Sequence, residues 1–331
     1  MLITGASGFV GRNLLHFLSQ ISHNYQIFTP SRQEVDFTNP LNVKEYISRI
    51  NPQIIVHLAG EVGGIQANRK RKADLFYNNS MMTNILFQEC ANNGKVEKIV
   101  SLGAGCGYPA PYLENREWEE TNKFDVIDKF ACRNSGDKLV EFELFSGFPE
   151  HNSYGYSMAK KMLVVAAMAY QEQYGLNSTI LIPANLYGPH DYFNSIHSHV
   201  VPAIIGKIHR GKLKRTSEIE VWGSGMAVRE FLFVDDLCCA IIDAINIEGV
   251  GPYNVGTGLG TTIKELVNLV VKEIGYEGKI VYNHDFPDGS RSRIFSLTKF
   301  RSKFGYIPAT SLEDGIKKTV EWYEENGQKN E

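Results

Sequence analysis

The sequence predicts an α/β protein: a doubly wound parallel sheet with a smaller C-terminal α/β lobe. Three observations predict it. Short apolar runs alternate with helix-period segments through the first two-thirds of the chain. A glycine-rich turn, Gly5-Ala6-Ser7-Gly8-Phe9-Val10-Gly11, joins the first run to the first helix. Further on, Tyr156 and Lys160 stand four residues apart in a segment of helical pattern. Strand–helix alternation implies parallel strands joined by right-handed crossovers.

In chain order, residues 2–4, 26–29, 53–58, 98–102 and 178–183 read as buried strands. Helices are expected between them at 12–22, 43–50, 74–92 and 156–174. Later come a strand at 220–222, a helix at 235–245 and a strand at 252–255, then helices at 262–274 and 312–325. The expected division is a Rossmann-type dinucleotide domain over 1–184, with segments near 220–256 returning to it. Residues 185–219 and 257–331 would form the substrate lobe. Residues 110–153 hold Trp118, Cys132 and many charges, and read as a long insertion, either a surface loop or a substrate lid.

Of the 331 residues, 43% are hydrophobic and 21% charged, an ordinary balance for one large globular unit. The net charge of −3 offers no nucleic-acid footprint. The short basic run at 68–72 reads as a solvated helix entry. No stretch approaches the ~20 apolar residues of a membrane span. Met1 leads directly into a strand-like run, so no secretory signal is expected. The five cysteines (Cys90, Cys106, Cys132, Cys238 and Cys239) lack metal spacing, and their odd number points to a reducing, cytoplasmic setting. His190, Asp191, His197 and His199 fall close together without the pattern of a metal site.

The glycine turn carries the first chemical signal. Gly5, Gly8 and Gly11 let backbone approach a pyrophosphate, and the helix behind adds free N–H groups and the positive end of its dipole. Ser7, Phe9 and Val10 complete that contact. An NAD site usually offers an acid to the ribose at the end of the second strand. Here Ser31 and Arg32 stand there, and a hydroxyl with a guanidinium suits a 2′-phosphate. NADP(H) is therefore expected over NAD(H). Asp36 is placed near the adenine, and Leu58, Ala59 and Gly60 let the cofactor lie close to the third strand.

Tyr156 and Lys160 put a phenol and an ammonium on one helix face. A free tyrosine titrates near pKa ~10, and a lysine charge beside it favours the phenolate. Such a phenol can exchange a proton with an alcohol or carbonyl.

Taken with Val62-Gly63-Gly64-Ile65, Gly105-Cys106-Gly107-Tyr108-Pro109, Asn185 through Asp191, Ser198 through Ala203, Val221 through Gly225, Arg229 through Leu232 and Pro287-Asp288-Gly289, the chain resembles the extended short-chain dehydrogenase/reductase family. Within it, the sequence looks like the GDP-L-fucose synthase branch, the GDP-4-keto-6-deoxy-mannose epimerase-reductases. The resemblance implies that Cys106 and His199 move protons on carbons beside a C4 ketone. It also implies that Asn79, Pro183, Asn185 and Leu186 border the cofactor. Asn185, Val200, Trp222, Arg229 and Arg293 would border a GDP-linked substrate, with Cys106 and His199. A homodimer through the helices near 74–92 and 156–174 is implied as well. One position departs from the branch: Ser or Thr is usual four residues before Tyr108, and here Ala104 stands, followed by Gly105.

Four activities fit these residues. One is the full epimerase-reductase. A second is one half of that chemistry, which Ala104 favours. A third is an NAD-dependent 4-epimerase or dehydratase. The fourth is a non-enzymatic dinucleotide sensor.

Overall fold

The computed structural model describes residues 1–109, 138–193, 198–286 and 292–327. Strand β1 (Leu2–Thr4) leads through the glycine turn into α1 (Phe9–Gln20). Next come α2 (Pro40–Ile50), β2 (Ile54–His57), α3 (Ile65–Lys70), α4 (Lys72–Asn93) and β3 (Lys98–Leu102). After a short 3-10 turn at Gly105–Gly107 and another at Glu141–Phe145 the chain enters α5 (Tyr154–Tyr174), β4 (Ser178–Pro183) and β5 (Asn185–Tyr187). The remainder is α6 (Val200–Lys214), β6 (Glu218–Trp222), β7 (Val228–Arg229), β8 (Phe231–Phe233), α7 (Val234–Ala244), β9 (Tyr253–Val255), β10 (Thr261–Thr262), α8 (Ile263–Ile274), β11 (Lys279–Asn283), β12 (Ser292–Arg293), α9 (Thr298–Phe304) and α10 (Leu312–Asn326).

The central sheet has the order β1-β2-β3-β4-β9, every pair parallel. Its strands alternate sides in a way that explains the doubly wound form. Ile55, Ile99 and Ile180 point into one apolar cluster with α2, α4 and α5. Their chain neighbours Val56, Val100 and Leu181 point into another with α1 and α7. Successive side chains of a strand face opposite ways, so strands apolar at every position require cover on both faces. A third cluster joins α6, α8 and α10 to Ile219, Phe231 and Phe233.

The run at 26–29 differs from expectation. It makes a single bridge, Phe28 to Leu2, closed by two backbone hydrogen bonds of 2.9 Å. The Gln26 carbonyl instead accepts from the Met1 ammonium, and Pro30 has no N–H to extend a ladder. Helix α2 begins three residues before the expected start because Asn39 caps it, accepting from Leu41 and Asn42, with Pro40 in the first turn. Among the described residues no helix is long and apolar enough to cross a membrane.

The insertion falls partly outside the described residues: 110–137, with Trp118 and Cys132, lie there, as do His197 and Pro287 to Gly289. Its second part, 138–153, is tied down rather than free. Leu139 exchanges backbone bonds with Ile294 (2.7 Å) and Ser296 (2.8 Å). Glu141 accepts from the Asn254 N–H, and buried Lys161 of α5 donates to the Gly147 carbonyl at 2.7 Å.

Candidate active site

The glycine turn is built as phosphate chemistry requires. Gly5 has φ +69°, and a Cβ there would meet the Ala59 nitrogen at 2.6 Å. A Cβ on Gly11 would collide with the Gly5 carbonyl and Ala6. Gly8 caps α1 without any side-chain hydrogen bond, so the first-turn amides stay available to an anion. Ser7 is exposed, and its carbonyl accepts from Arg12 Nε at 2.9 Å. That arginine, unnoticed in the sequence, brings a cation over the turn. Phe9 and Val10 pack against the core of that face. The cradle fits a dinucleotide pyrophosphate.

The rim of the groove follows the ends of the parallel strands. Ser31 and Arg32 are exposed, and Ser31 Oγ accepts from the Glu34 N–H. Asp36 is engaged locally: its carboxylate accepts from the Thr38 N–H (2.9 Å) and hydroxyl (2.7 Å), which hold it below the usual carboxylate range. Leu58, Ala59 and Gly60 follow β2, and the Ala59 N–H donates to Thr4. Buried Asn79 is spent on backbone, bonding both the N–H and the carbonyl of Glu61 and the Leu75 carbonyl. It shapes the loop beside Gly60. Pro183 ends β4, with Leu186 packed beyond it. The Asn185 side chain donates to the Glu230 carbonyl at 2.8 Å, fastening β5 to the substrate side.

The chemistry gathers past the end of β3. Gly105–Gly107 form a 3-10 turn whose bonds run from Gly107 N to Ala104 O and from Tyr108 N to Gly105 O. Tyr108 is buried and donates to Asn254 at 2.6 Å, anchoring the turn. Cys106 thus faces the start of α5. Ser157 hydrogen-bonds its thiol, and Tyr156 and Lys160 lie within electrostatic reach. Burial pushes the thiol up, against opposing pulls from Ser157, Arg293 and Lys160. Lys160 Nζ donates to the Leu102 carbonyl at 2.9 Å and lies 5.8 Å from the Tyr156 ring centre.

The phenol differs from expectation. Burial, and then the neighbouring thiol, push Tyr156 upward rather than down. Burial also lowers Lys160 to about 8, because a desolvated ammonium is costly. In this pocket desolvation outweighs the attraction of cation for phenolate. Ala104 and Gly105 bring no hydroxyl to the turn.

On the substrate side, Arg293 and Arg229 are direct partners in the parallel β12–β7 pairing, on one face of the β10-β7-β12 sheet. Arg293 bonds Glu150, and its other nitrogen points to the Gly105 carbonyl at 3.4 Å. With Arg293 17% and Glu150 29% exposed, this pair closes one wall beside Cys106. Glu150 was not legible as a site residue, because only the folded insertion end brings it there. Trp222 is exposed and stacks on Phe286, ring centres 4.4 Å apart and 10° from parallel. His199 sits at the N-cap of α6, ahead of Val200, and its Nδ1 lies 3.6 Å from Asp191. Tyr156, Lys160, Cys106 and Arg293 therefore lie together beyond the end of β3. His199 is joined to Asp191 instead, and Trp222 stands at an outer edge.

A pyrophosphate cradle at the first strand, and a phenol, an ammonium and a thiol at the end of another, define a dinucleotide-dependent enzyme of the short-chain dehydrogenase/reductase type. The chain belongs to the NAD dependent epimerase/dehydratase family, whose family model matches residues 1–256. It is 31% identical to a GDP-L-fucose synthase of Escherichia coli, over 98% of this chain and 97% of that protein. It is 32% identical to a GDP-L-colitose synthase of Yersinia pseudotuberculosis, over the same two shares. A GDP-mannoheptose C4 reductase from Campylobacter jejuni, solved with NADP bound, superposes with a TM-score of 0.80 at 29% identity, covering 98% of this chain and 97% of that one.

Proposed function

We propose that the protein is an NADP(H)-dependent epimerase-reductase acting on a GDP-4-keto-6-deoxy-hexose. The observation that carries this reading is the clustering of Cys106, Tyr156 and Lys160 beyond the end of β3, beside Arg293. The names of the relatives support a GDP-linked keto sugar, and the C4 reductase with NADP bound supports the cofactor. Ser31 and Arg32, both exposed at the cofactor rim, suit a 2′-phosphate.

The residues take the following roles. A C4 ketone acidifies the C–H bonds at C3 and C5. Inversion needs removal of a proton on one face and delivery on the other, by His199 and Cys106. NADPH, held over the Gly5–Gly11 turn, would supply a hydride for C4. Tyr156 would give its proton to the C4 oxygen as the carbonyl electron pair moves onto it. Its raised pKa keeps that phenol protonated, which suits it to the reducing direction. Lys160 offers its cation to the phenolate left behind. Arg229 and Arg293 present guanidinium forks to the diphosphate, and Trp222 with Phe286 offers a flat face to the base.

A second reading, one half of that chemistry (reduction or epimerisation alone), is favoured by Ala104, since no hydroxyl from this turn polarises the ketone that both halves use. The proposal also includes a homodimer, a cytoplasmic location and the two-part division. Helices α4 and α5 leave Tyr77, Val165 and Met168 exposed. Cys90, Cys106, Cys238 and Cys239 are free thiols. The cluster of α6, α8 and α10 supports a substrate lobe over 185–219 and 257–331, beside 1–184 with the returning segments near 220–256.

The test is incubation with GDP-4-keto-6-deoxy-mannose in D2O, with and without NADPH. The epimerase-reductase reading expects both deuterium on carbon and loss of NADPH absorbance. Either event alone would select the second reading. Neither event, in protein that binds NADPH, would reject both.

A further inference from the structure

Asp191 is an unusual carboxylate. Its side chain is 1% exposed, yet one of its oxygens has no hydrogen-bond partner among the described residues. The other oxygen accepts from the Tyr192 N–H at 2.8 Å and lies 3.6 Å from His199 Nδ1. A buried carboxylate left half-satisfied is costly unless a cation or donor compensates it. The imidazole supplies that cation. Its distance is that of an ion pair rather than a hydrogen bond, and such contacts tighten when substrate fills a site.

Among the described residues, Asp191 is the charged group that acts on His199. His190, beside Asp191, is turned to the Trp322 ring of α10, with centres 4.8 Å apart. The first basic residue on His199's own helix is Lys207, two turns on. The N-cap position puts the imidazole at the positive end of α6, which opposes protonation. Asp191 acts against that field and against burial, and holds the imidazole above its ordinary range. His199 is 47% exposed, so the ring has one nitrogen toward the buried acid and its remaining edge toward solvent.

We infer that Asp191 is a positioning residue for His199: it holds Nδ1–H, fixing the tautomer and leaving Nε2 to exchange the substrate proton. This rests on the proposed role of His199 in epimerisation. The logic is that of any imidazole whose second nitrogen is fixed by a carboxylate.

Two measurements on the full chain test it. Nitrogen-15 NMR of the wild type, with the His199 signals assigned by a His199→Gln difference, reads tautomer and titration without any turnover. The expected neutral form carries its proton on Nδ1, and the midpoint lies above that of an ordinary histidine. A neutral form protonated on Nε2, or an ordinary midpoint, overturns the inference. In Asp191→Asn the midpoint is expected to fall by about one pH unit, a tenfold change in protonation. Deuterium incorporation in that variant is expected to fall about 10- to 100-fold in kcat with KM little changed, a part of the ~10²–10⁴-fold that a general acid–base group contributes. Unchanged incorporation in a folded D191N overturns the positioning role. Loss of the proposed function itself would appear differently, as full exchange in His199→Gln.

Discussion

Ala104 opens the turn that holds Cys106, where the branch this chain resembles carries Ser or Thr, a hydroxyl for the ketone oxygen of the proposed substrate. Removing a single donor of that kind costs about 2–4 kcal/mol of transition-state stabilisation. Ala104→Ser is therefore expected to raise the NADPH-dependent rate about tenfold or more, read by absorbance, and to raise deuterium uptake with it, since enolisation charges the same ketone oxygen. A rate that stays level would mean that another group polarises the ketone. The neighbouring ion pair acts on the thiol. Arg293 favours the Cys106 thiolate and Glu150 opposes it. Glu150→Gln removes the opposing charge and frees the guanidinium, so the thiol pKa falls. Iodoacetamide labelling of Cys106 at neutral pH is expected to quicken about two- to tenfold, and a slower reaction would contradict the pairing.

At the scale of elements, the long helices α4 and α5 pack against each other over the β2–β3–β4 face and keep apolar residues on their outer sides. Both have weak apolar asymmetry, because they bury one face against the sheet and leave Tyr77, Val165 and Met168 outside. The proposed homodimer is expected to sediment as a dimer in the wild type and as a monomer in the double variant Val165→Glu with Met168→Glu. Dimers persisting in that variant would place the interface elsewhere. The helix starts show what local chemistry can carry. Thr262 and Glu265 cap α8 reciprocally, and this start lies within one residue of its expected place. The run at 26–29 shows the limit: apolar pattern alone did not reveal that Met1 and Pro30 would take away its ladder.

Across the whole molecule, buried charge sets the response to pH. His57 lies in the core at the end of β2, its Nδ1 bonded to Thr4 at 2.8 Å. Burial, and then Lys160, lower it to about 3. The unfolded chain binds this proton near pH 6.5, whereas the folded chain binds it only near 3. Between those values the unfolded state holds more protons, so stability falls as pH falls, by about 1.4 kcal/mol per unit for this group. Urea unfolding from pH 7 to 4 is expected to show this slope, reduced in His57→Gln. An equal slope in both would assign the loss to other groups.

The strand–helix alternation, the phosphate turn and the tyrosine–lysine pair were determined by sequence alone, because each is local. Strand alternation spans a few residues, a glycine turn seven, and one helical turn brings Tyr156 to Lys160. What tertiary structure decided is long-range. Glu150 meets Arg293 across 143 residues, and Phe286 meets Trp222 through the β6–β11 pairing. The direction of the Tyr156 shift was likewise decided by folding, since spacing reveals a nearby cation but not the loss of water around it. Asp191 belongs with these. Its neighbourhood to His199 was visible in the chain, but only the fold buries that carboxylate and aims it at one nitrogen.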